Sequence, residues 1–387
     1  MGKEELYFVH GYYSSNNEFI ENNNRQEIIR DTVILVRDNI EDVLDVEMIE
    51  VPISGQDYLP FEGEFVLYNK ERIEPANNHP ITLMYNILAQ SLRESIVSSY
   101  TLPRNEDGNI TDVKSFHVNV GHGNCSIVIF KAKECYKAWM IDCSIKEYKD
   151  LKYDKNLDVC LENLKSNYGI EKISRLLITH QHYDHINGIH HLLNKKWIDS
   201  NTEVWINAHY PWTQKSYLNI MSRLKAVNVK FINPVISNST NNIKIIYPNI
   251  SFSSANPAPK RRINNASVIY QIVFNDISMV FPGDIETEGW DQVNCLPWLN
   301  NATYYCVSHH GSINGHIRNI CNCRKLISTV KDCTNRTCYQ ILMGRNGAYS
   351  GIFNTKVLTD FSGTLETTDG NFFFIELDWM RGKIVKV

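Results

Sequence analysis

The stretch that decides the fold is Thr179-His-Gln-His-Tyr-Asp-His-Ile-Asn-Gly188, which directly follows the apolar run Leu176-Leu-Ile178. An apolar run followed by polar residues predicts a buried strand that ends in a loop. Within six positions, this loop carries four side chains of metal-ligand type: His180, His182, Asp184 and His185. The first two histidines are two residues apart, so an extended chain points both imidazoles to the same side, and the turn that follows carries the other two ligands to a neighbouring point. Imidazole nitrogen and carboxylate oxygen are ligands of zinc and similar ions, so the loop predicts a metal centre with two adjacent positions.

Other histidines near this stretch are predicted to have ordinary structural roles. His190 and His191 lie on the apolar helix that follows, where a satisfied core or surface histidine is the simpler interpretation. His209 follows the predicted strand Val204–Asn207 and is not expected to be a ligand, because it belongs to a different element.

Two later strands also end in residues of metal-ligand type. Ile277–Phe281 is followed by Pro-Gly-Asp284, and Tyr304–Val307 is followed by Ser308-His-His-Gly-Ser312. Sites in α/β proteins form where buried strands emerge from a sheet. We predict that Asp284 bridges two cations, although an isolated aspartate here would equally suit a turn or helix cap. The expected direct ligand of the second strand end is His309, with His310 as a further ligand or as the proton donor to the leaving oxygen, and the predicted catalytic residues are Asp184 and His310.

Composition narrows the class of protein. The chain has 387 residues, 43% of them hydrophobic, and a net charge of −4, which fits one large or two moderate globular domains and excludes a general nucleic-acid coat protein. The N-terminus lacks the apolar stretch of a secretion signal and no segment has the character of a membrane span, so we expect a cytoplasmic protein without a membrane partner. Most of the ten cysteines are then expected to be buried thiols. A structural zinc site is an alternative for four of them, although their spacing misses the usual Cys-x2-Cys pattern: Cys321, Cys323, Cys333 and Cys338.

Two regions are predicted from the patterning along the chain. Residues 1–110 contain short alternating runs and one helical stretch near Ile81–Ser98, and end in the polar linker Arg104-Asn-Glu-Asp-Gly-Asn109. We expect a small, mostly β accessory domain there, which packs on the rest or binds a protein partner. Residues 111–387 alternate longer strands with helices and are predicted to form a layered α/β domain.

These motifs together resemble the metallo-β-lactamase fold superfamily. The resemblance rests on Asp142, the cluster at 180–185, Gly283-Asp284 and the stretch 308–312, and it covers about residue 115 to the end. The hydrolase domain of ComEC-type DNA-uptake proteins is the most similar branch. It shares three further stretches: Val118-Asn-Val-Gly-His-Gly-Asn124, Asn265-Ala-Ser267 and Thr368-Asp-Gly370.

The resemblance implies an αββα sandwich that carries two divalent metal ions, zinc or manganese, and hydrolyses its substrate with a metal-activated water. By position, His180 and His182 would hold one ion, Asp184 and His185 the other, and Asp284 both. His309 would complete the second ion's ligands. Asp142 and Asn265 would support the ligands from behind.

Two features depart from the superfamily pattern. Many members have a histidine shortly before the Gly-Asp strand, where this chain has Asn264 and Asn265, so the first ion lacks one imidazole and His310 or water would fill its place. Relatives also often carry a histidine near the end, in a stretch equivalent to Arg345-Asn-Gly-Ala-Tyr-Ser-Gly351, which has none.

Basic residues near the expected site point to a phosphodiester substrate. Arg345 and the run Lys260-Arg-Arg262 are predicted to bind it, because arginine pairs well with phosphate oxygens, although a short basic run is also common on ordinary surfaces. We therefore expect a phosphodiesterase or nuclease that acts on nucleic acid or a nucleotide-type phosphodiester. Hydrolysis of a carboxyl ester, thioester or lactone is the alternative, and a partner-binding protein with a vestigial metal site is another. Stand-alone relatives include antiphage defence proteins, but no residue here selects a pathway.

Overall fold

The computed structural model describes residues 4–13, 19–22, 25–28, 30–38, 46–106, 108–146, 152–248, 263–293, 302–316, 339–349 and 351–387. The predicted basic run 260–262 and the four cysteines at 321, 323, 333 and 338 lie outside these residues. The described strands are β1 Glu5–Tyr13, β2 Phe19–Asn22, β3 Arg25–Ile28, β4 Thr32–Asp38, β5 Val46–Pro52, β6 Phe65–Tyr68, β7 Ile73–Pro75, β8 Ile110–Val118, β9 Cys125–Ala132, β10 Cys135–Cys143, β11 Arg175–Leu177, β12 Glu203–Trp205, β13 Lys230–Ile232, β14 Ile243–Tyr247, β15 Ile269–Phe274, β16 Ile277–Phe281, β17 Tyr304–Cys306, β18 Gln340–Leu342, β19 Leu365–Thr367, β20 Phe374–Asp378 and β21 Lys383–Lys386. The described α-helices are α1 Pro80–Ser98, α2 Asn156–Tyr168, α3 Tyr183–Ile186, α4 Ile189–Asn194, α5 Lys215–Ala226, α6 Thr287–Gln292 and α7 Thr355–Asp360.

The N-terminal region is mostly β, as predicted. Its antiparallel sheet has the order β5-β4-β1-β6-β7, and β2 and β3 form a separate hairpin. Side chains on β1 alternate between two apolar clusters, so that Val9 packs within the N-terminal region while Phe8 belongs to the main core of the chain. The ring of Phe8 lies 4.8 Å from that of Trp212. The N-terminal sheet is therefore packed directly on the remainder of the protein, while the predicted boundary at residue 110 stays a prediction.

Two sheets packed face to face form the centre of the molecule. One has the order β13-β12-β11-β10-β9-β8-β20-β21 and the other β14-β15-β16-β17-β18-β19. Alternation along β9 explains the packing, because Val128 and Phe130 face the second sheet whereas Ile127 and Ile129 face the opposite way. Phe130 and Phe274 approach across the interface, with ring centroids 4.7 Å apart. The interface between the sheets is thus largely apolar and rich in aromatic residues.

Helices cover the outer faces of both sheets. On α2, Leu157, Leu161 and Leu164 are buried against the first sheet, and Gly169, with a φ of +65°, ends this helix in the left-handed conformation that glycine adopts easily. On the outer face of the second sheet, Phe361 follows α7 and lies with its ring centroid 6.1 Å from that of Tyr305. The layers are helix, sheet, sheet and helix, which confirms the predicted αββα sandwich of metallo-β-lactamase type with an N-terminal β region.

The strand order brings the predicted site residues to one edge. Strand β10 runs parallel to β11, and β16 runs parallel to β17, so the carboxyl ends of each pair meet at the same edge of its sheet. Loop residues 178–185 follow β11, Asp284 follows β16 and the stretch 308–312 follows β17. Among the described helices, none has both the length and the apolar character needed to cross a membrane.

Candidate metal centre

Four buried side chains meet where these strands end: Asp184, His185, Asp284 and His310. Each offers one ligand atom, and the four atoms lie within 4.8 Å of one another. The Nε2 atom of His310 is 3.3 Å from Oδ2 of Asp184 and 3.3 Å from Oδ2 of Asp284, and Nε2 of His185 is also 3.3 Å from Oδ2 of Asp284. Two ligand atoms about 2.1 Å from one tetrahedral ion lie about 3.4 Å apart, so this spacing suits a single bound cation.

The polar atoms of this cluster do not satisfy one another. Among the described residues, Nε2 of His185, Nε2 of His310 and Oδ1 of Asp284 are buried and make no hydrogen bond. A buried polar atom without a partner is costly and rare in folded proteins. A divalent cation among these atoms would supply the missing interaction, and the mixed imidazole and carboxylate set is one that zinc or manganese accepts. The residues present therefore fit a metal ion.

Hydrogen bonds on the side away from the cluster orient its two histidine rings. The Nδ1 atom of His185 donates to Oδ2 of Asp142 at 2.8 Å, and this carboxylate also accepts bonds from the backbone nitrogen and the hydroxyl of Thr179, both at 2.7 Å. The Nδ1 atom of His310 donates to the carbonyl oxygen of Met343 at 3.0 Å. Because Nδ1 of each ring is bonded on the side away from the cluster, Nε2 faces the cluster and is the atom that a metal would bind. Asp142 is therefore bonded to a member of the cluster, and the supporting role that the resemblance implies for it stays a prediction.

The charged histidines and aspartates of the cluster shift one another's pKa values. Burial alone would lower the pKa of His310, but the nearby charges of Asp284 and Asp184 outweigh it and raise this pKa to about 10. The pKa of Asp284 is held well below its usual range, against the effect of burial, by His310 and His185. Metal-free protein therefore keeps positive charge between these carboxylates, at the place where a cation would bind.

The two predicted ligands of a first ion lie beside this cluster. Nδ1 of His180 is 3.1 Å from the hydroxyl of Thr179, and Nε2 of His180 is 3.1 Å from Nδ1 of His182. The ring of His180 also lies 4.1 Å from that of His185. His182 belongs to a second group of adjacent ligand atoms, together with Asp184 and His10 of the N-terminal region. The roles of His180 and His182 as ligands stay predictions.

Neighbouring residues His309 and His310 face different surroundings. Both have left-handed backbone angles, with φ of 49° and 47°, and the tight turn separates their side chains. His310 lies among the ligand atoms, whereas His309 is directed to the wall of the cleft, with Nδ1 3.5 Å from Oε1 of Glu286 and Nε2 3.4 Å from Nδ2 of Asn264. The geometry therefore favours His310 over His309 as the ligand from this loop.

The remaining predicted residues lie apart from the ligand cluster. Asn265 supports α6, because its Oδ1 accepts bonds from the backbone nitrogens of Glu286 and Gly289, both at 3.1 Å. Arg345 is not among the described residues that line the cleft beside the cluster. His191 is bonded to Asp158 at 2.7 Å, as suits a structural histidine.

Several residues at the site were not predicted from the sequence. His122, in the Gly-His-Gly turn after β8, has its Nε2 3.3 Å from Oδ2 of Asp184, and the flanking glycines were the available signal. Arg30 forms an ion pair with Glu286 at 2.6 Å, and His10 stacks on His182 with ring centroids 4.4 Å apart. Arg30 and His10 come from the N-terminal region, where the sequence carries no motif.

The cluster lies at the base of an open cleft of about 810 Å³, a volume that includes the solvent at its mouth. The main sandwich supplies the ligand side chains and the loops after β17 and β18. The N-terminal sheet and its connections supply a second wall, formed by His10, Tyr12, Tyr13, Arg30 and Glu62. The N-terminal region is therefore part of the site.

Replacing Gly283 by alanine is expected to destabilise the fold next to the ligands. Gly283 has a φ of +59°, and a Cβ there would lie 2.6 Å from the hydroxyl oxygen of Thr179 and 3.0 Å from that of Ser267. Backbone strain and overpacking together should lower the free energy of unfolding by about 2–5 kcal/mol, measured by urea titration. Gly347 is the matched control, because its φ is +78° but nothing lies within 4 Å of the position that a Cβ would take, so Gly347→Ala should cost only the strain, roughly 1–2 kcal/mol. Equal losses in both variants would contradict the crowding argument.

Part of the chain resembles a known protein family, and two solved structures show weak overall similarity to it. Residues 118–219 match the family model described as the Metallo-beta-lactamase superfamily. Among solved structures, the metallo-beta-lactamase fold protein YhfI from Bacillus subtilis is 14% identical and covers 68% of this chain and 100% of its own, with a TM-score of 0.37. A structure titled as a new diphosphatase from the PhnP family is 11% identical and covers 71% of this chain and 98% of its own, with a TM-score of 0.34. No protein with a curated description matches the chain.

Proposed function

We propose that this chain is a metal-dependent phosphodiesterase that cleaves nucleic acid or a nucleotide-type phosphodiester. The observation that carries the proposal is the cluster of Asp184, His185, Asp284 and His310 at the base of an open cleft. A buried set of ligands that a substrate can reach is the arrangement of a catalytic metal site, whereas structural metal sites are closed. When bound, divalent ions would supply an activated water and positive charge toward phosphoryl oxygens.

The charges of the cleft favour an anionic substrate once metal is bound. The described residues that line it include four carboxylates and one guanidinium: Glu62, Asp184, Asp284, Glu286 and Arg30. With neutral histidines, four negative charges and one positive charge give −3, and two divalent cations would change this to +1. Burial raises the pKa of Glu62 to about 8, so near neutral pH the loaded cleft is more positive than this formal count. A phosphodiester would therefore be attracted to the metal-loaded site.

Other cleft residues suit the two parts of a nucleotide substrate. His309 and Asn264 place polar groups on the wall above the ligands, where they can hydrogen bond to phosphate oxygens or the leaving group. Tyr12, Tyr13 and Tyr349 line the same cleft, and aromatic rings are surfaces on which nucleobases stack. Substrate binding by Lys260, Arg261, Arg262 and Arg345, the choice between zinc and manganese, and the ComEC-type resemblance all stay predictions.

Phosphodiester hydrolysis is tested with the purified full chain, loaded with manganese or zinc. The substrates are bis-p-nitrophenyl phosphate and labelled single- and double-stranded DNA and RNA. We expect metal-dependent cleavage that is lost in Asp184→Ala, because this carboxylate lies within 3.9 Å of both ligand histidines. Asp291→Ala is the matched control, since Asp291 is an exposed aspartate on α6 outside the cleft lining.

The outcomes separate the metal centre from the substrate class. Two bound ions without cleavage of any phosphodiester, but with hydrolysis of p-nitrophenyl acetate or a lactone, would overturn the phosphodiesterase proposal in favour of a carboxyl ester substrate. Activity that survives in Asp184→Ala would contradict the assignment of the site itself.

A further inference from the structure

A second group of ligand-type atoms lies next to the four-ligand cluster. His10, His182 and Asp184 each offer an atom, and these atoms lie within 4.8 Å of one another. All three side chains are buried, with relative exposures of 7%, 8% and 6%. Asp184 belongs to both groups, so the two positions adjoin. His10 is the member that comes from outside the metallo-β-lactamase sandwich.

The pairing of β1 with β4 is irregular at His10. In the pairing of β1 with β4, Val9 is opposite Leu35 and Gly11 is opposite Ile34, so His10 is the extra residue in its strand. A bulge bends a strand and redirects the side chain of the inserted residue, and bulges are common beside active sites. Regular alternation along β1 places residue 10 on the same face as Phe8, which packs on the main core, and the irregularity adds a local change of strand direction. The irregularity therefore coincides with the residue that reaches the site.

Contacts on both sides fix β1 relative to His182. The ring of Trp212 lies 4.8 Å from that of Phe8, two residues before His10, and 5.5 Å from that of His182. On the other side of the cleft Arg30 pairs with Glu286 at 2.6 Å. A metal ligand must be held within a fraction of an ångström, and these contacts provide that rigidity.

We propose that His10 is a metal ligand, which together with His182 and Asp184 holds a divalent ion of the zinc type beside the ion held by the four-ligand cluster. The N-terminal sheet then completes the metal centre rather than only covering it. This inference rests on the metal centre of the proposed function and is independent of the substrate. The proposal also accounts for Asn264 and Asn265, which stand where many members of the superfamily have a histidine ligand. In this chain His10 on β1 would supply that imidazole instead.

Metal stoichiometry of purified full-length variants tests the proposal. After saturation with zinc and removal of free metal, His10→Ala is expected to hold one ion fewer per chain than the wild type. The metal contents of the variant and the wild type are compared as a difference, because cysteines elsewhere in the chain could bind the same additional amount of zinc in both. His191→Ala is the matched control, since this histidine is half-buried on α4 and pairs with Asp158 away from the site, and it should keep the wild-type metal content.

His10→Cys gives a second readout that appears only if residue 10 touches the metal. A thiolate ligand on cobalt produces an intense charge-transfer band, so cobalt-loaded His10→Cys should show a new band relative to the cobalt-loaded wild type. This variant decides the matter if His10→Ala fails to fold. Circular dichroism checks folding in each case.

Each outcome has a definite meaning. Wild-type metal content in His10→Ala, or no new band in a folded His10→Cys, would overturn the proposal and leave His10 as a packing residue. A wild-type chain without any bound ion would overturn the proposed metal centre as well. Two ions in the wild type and no phosphodiester cleavage would leave the role of His10 intact and refute only the substrate class.

Discussion

Asp284→Asn is expected to abolish metal-dependent hydrolysis, with a fall in kcat/KM of about 10³-fold or more. The Asp284 carboxylate lies 3.3 Å from the Nε2 atoms of both His185 and His310, and its Oδ1 makes no hydrogen bond to a described residue. Asparagine has nearly the same size but no charge, and its amide nitrogen cannot bind a cation. The variant should therefore lose metal affinity while its packing is kept. Zinc or manganese titration by calorimetry and the phosphodiester assay measure the two effects.

The same exchange of aspartate for asparagine at a position outside the site controls for the loss of a carboxylate. Asp291→Asn changes an exposed aspartate seven residues further along the chain and should leave both metal affinity and rate within about twofold of the wild type. Wild-type activity in Asp284→Asn would show that the centre assembles without this carboxylate. The proposed site would then be wrong, whatever the substrate.

The strand ends of the sandwich could be predicted because their signals are local. An apolar run followed by ligand-type residues indicates a buried strand and its loop within a few positions of sequence, as at β11 and its histidine-rich loop. The same reasoning located Asp284 after β16, and the supporting role of Asp142 followed from the resemblance. Parallel pairing brings together the ends of β10 and β11 in one sheet and the ends of β16 and β17 in the other. Local pattern and topology were thus enough to place these residues at neighbouring strand ends, while their roles as ligands stay predictions.

The contribution of the N-terminal region could not be predicted in the same way. Arg30 and its partner Glu286 are 256 residues apart, and no periodic pattern relates segments at such a distance. His10 stands in an ordinary apolar strand, where a single histidine is more simply interpreted as a structural residue. Only the docking of β1 beside Trp212 reveals that it faces His182. The sequence therefore predicted an accessory domain but not its share in the site.

The choice between His309 and His310 also lay beyond the sequence. Adjacent residues on a regular strand point to opposite faces, but here both residues have positive φ, so the direction of each side chain depends on the turn. The structure places a hydrogen bond from Nδ1 of His310 to the carbonyl oxygen of Met343, which follows β18, and this bond orients the ring toward the ligands. The resemblance favoured His309 by its position in the motif. A motif does not specify the conformation of the turn, so it could not show which of the two rings faces the ligands.

Replacement of His310 by alanine should affect both metal binding and activity, whereas replacement of His309 should affect activity alone. His310→Ala is expected to lower metal affinity and to reduce kcat/KM about 10³-fold or more, because Nε2 of His310 lies 3.3 Å from both Asp184 and Asp284. His309→Ala should keep the wild-type metal content and reduce kcat about 10- to 100-fold, since this imidazole lies beside Glu286 and Asn264 on the cleft wall, where it can contact the substrate or the leaving group. Metal analysis and steady-state kinetics are measured on the same preparations.

The two variants are controls for each other. Both positions are left-handed, with φ within 2° of one another, so alanine carries a similar backbone cost at each, and the difference between them reports the side chain. Loss of metal in His309→Ala with full retention in His310→Ala would restore the assignment that the resemblance implied and would mean that the turn rearranges when metal binds. Loss of metal in both would make each histidine a ligand, because neither side chain could then be confined to the cleft wall.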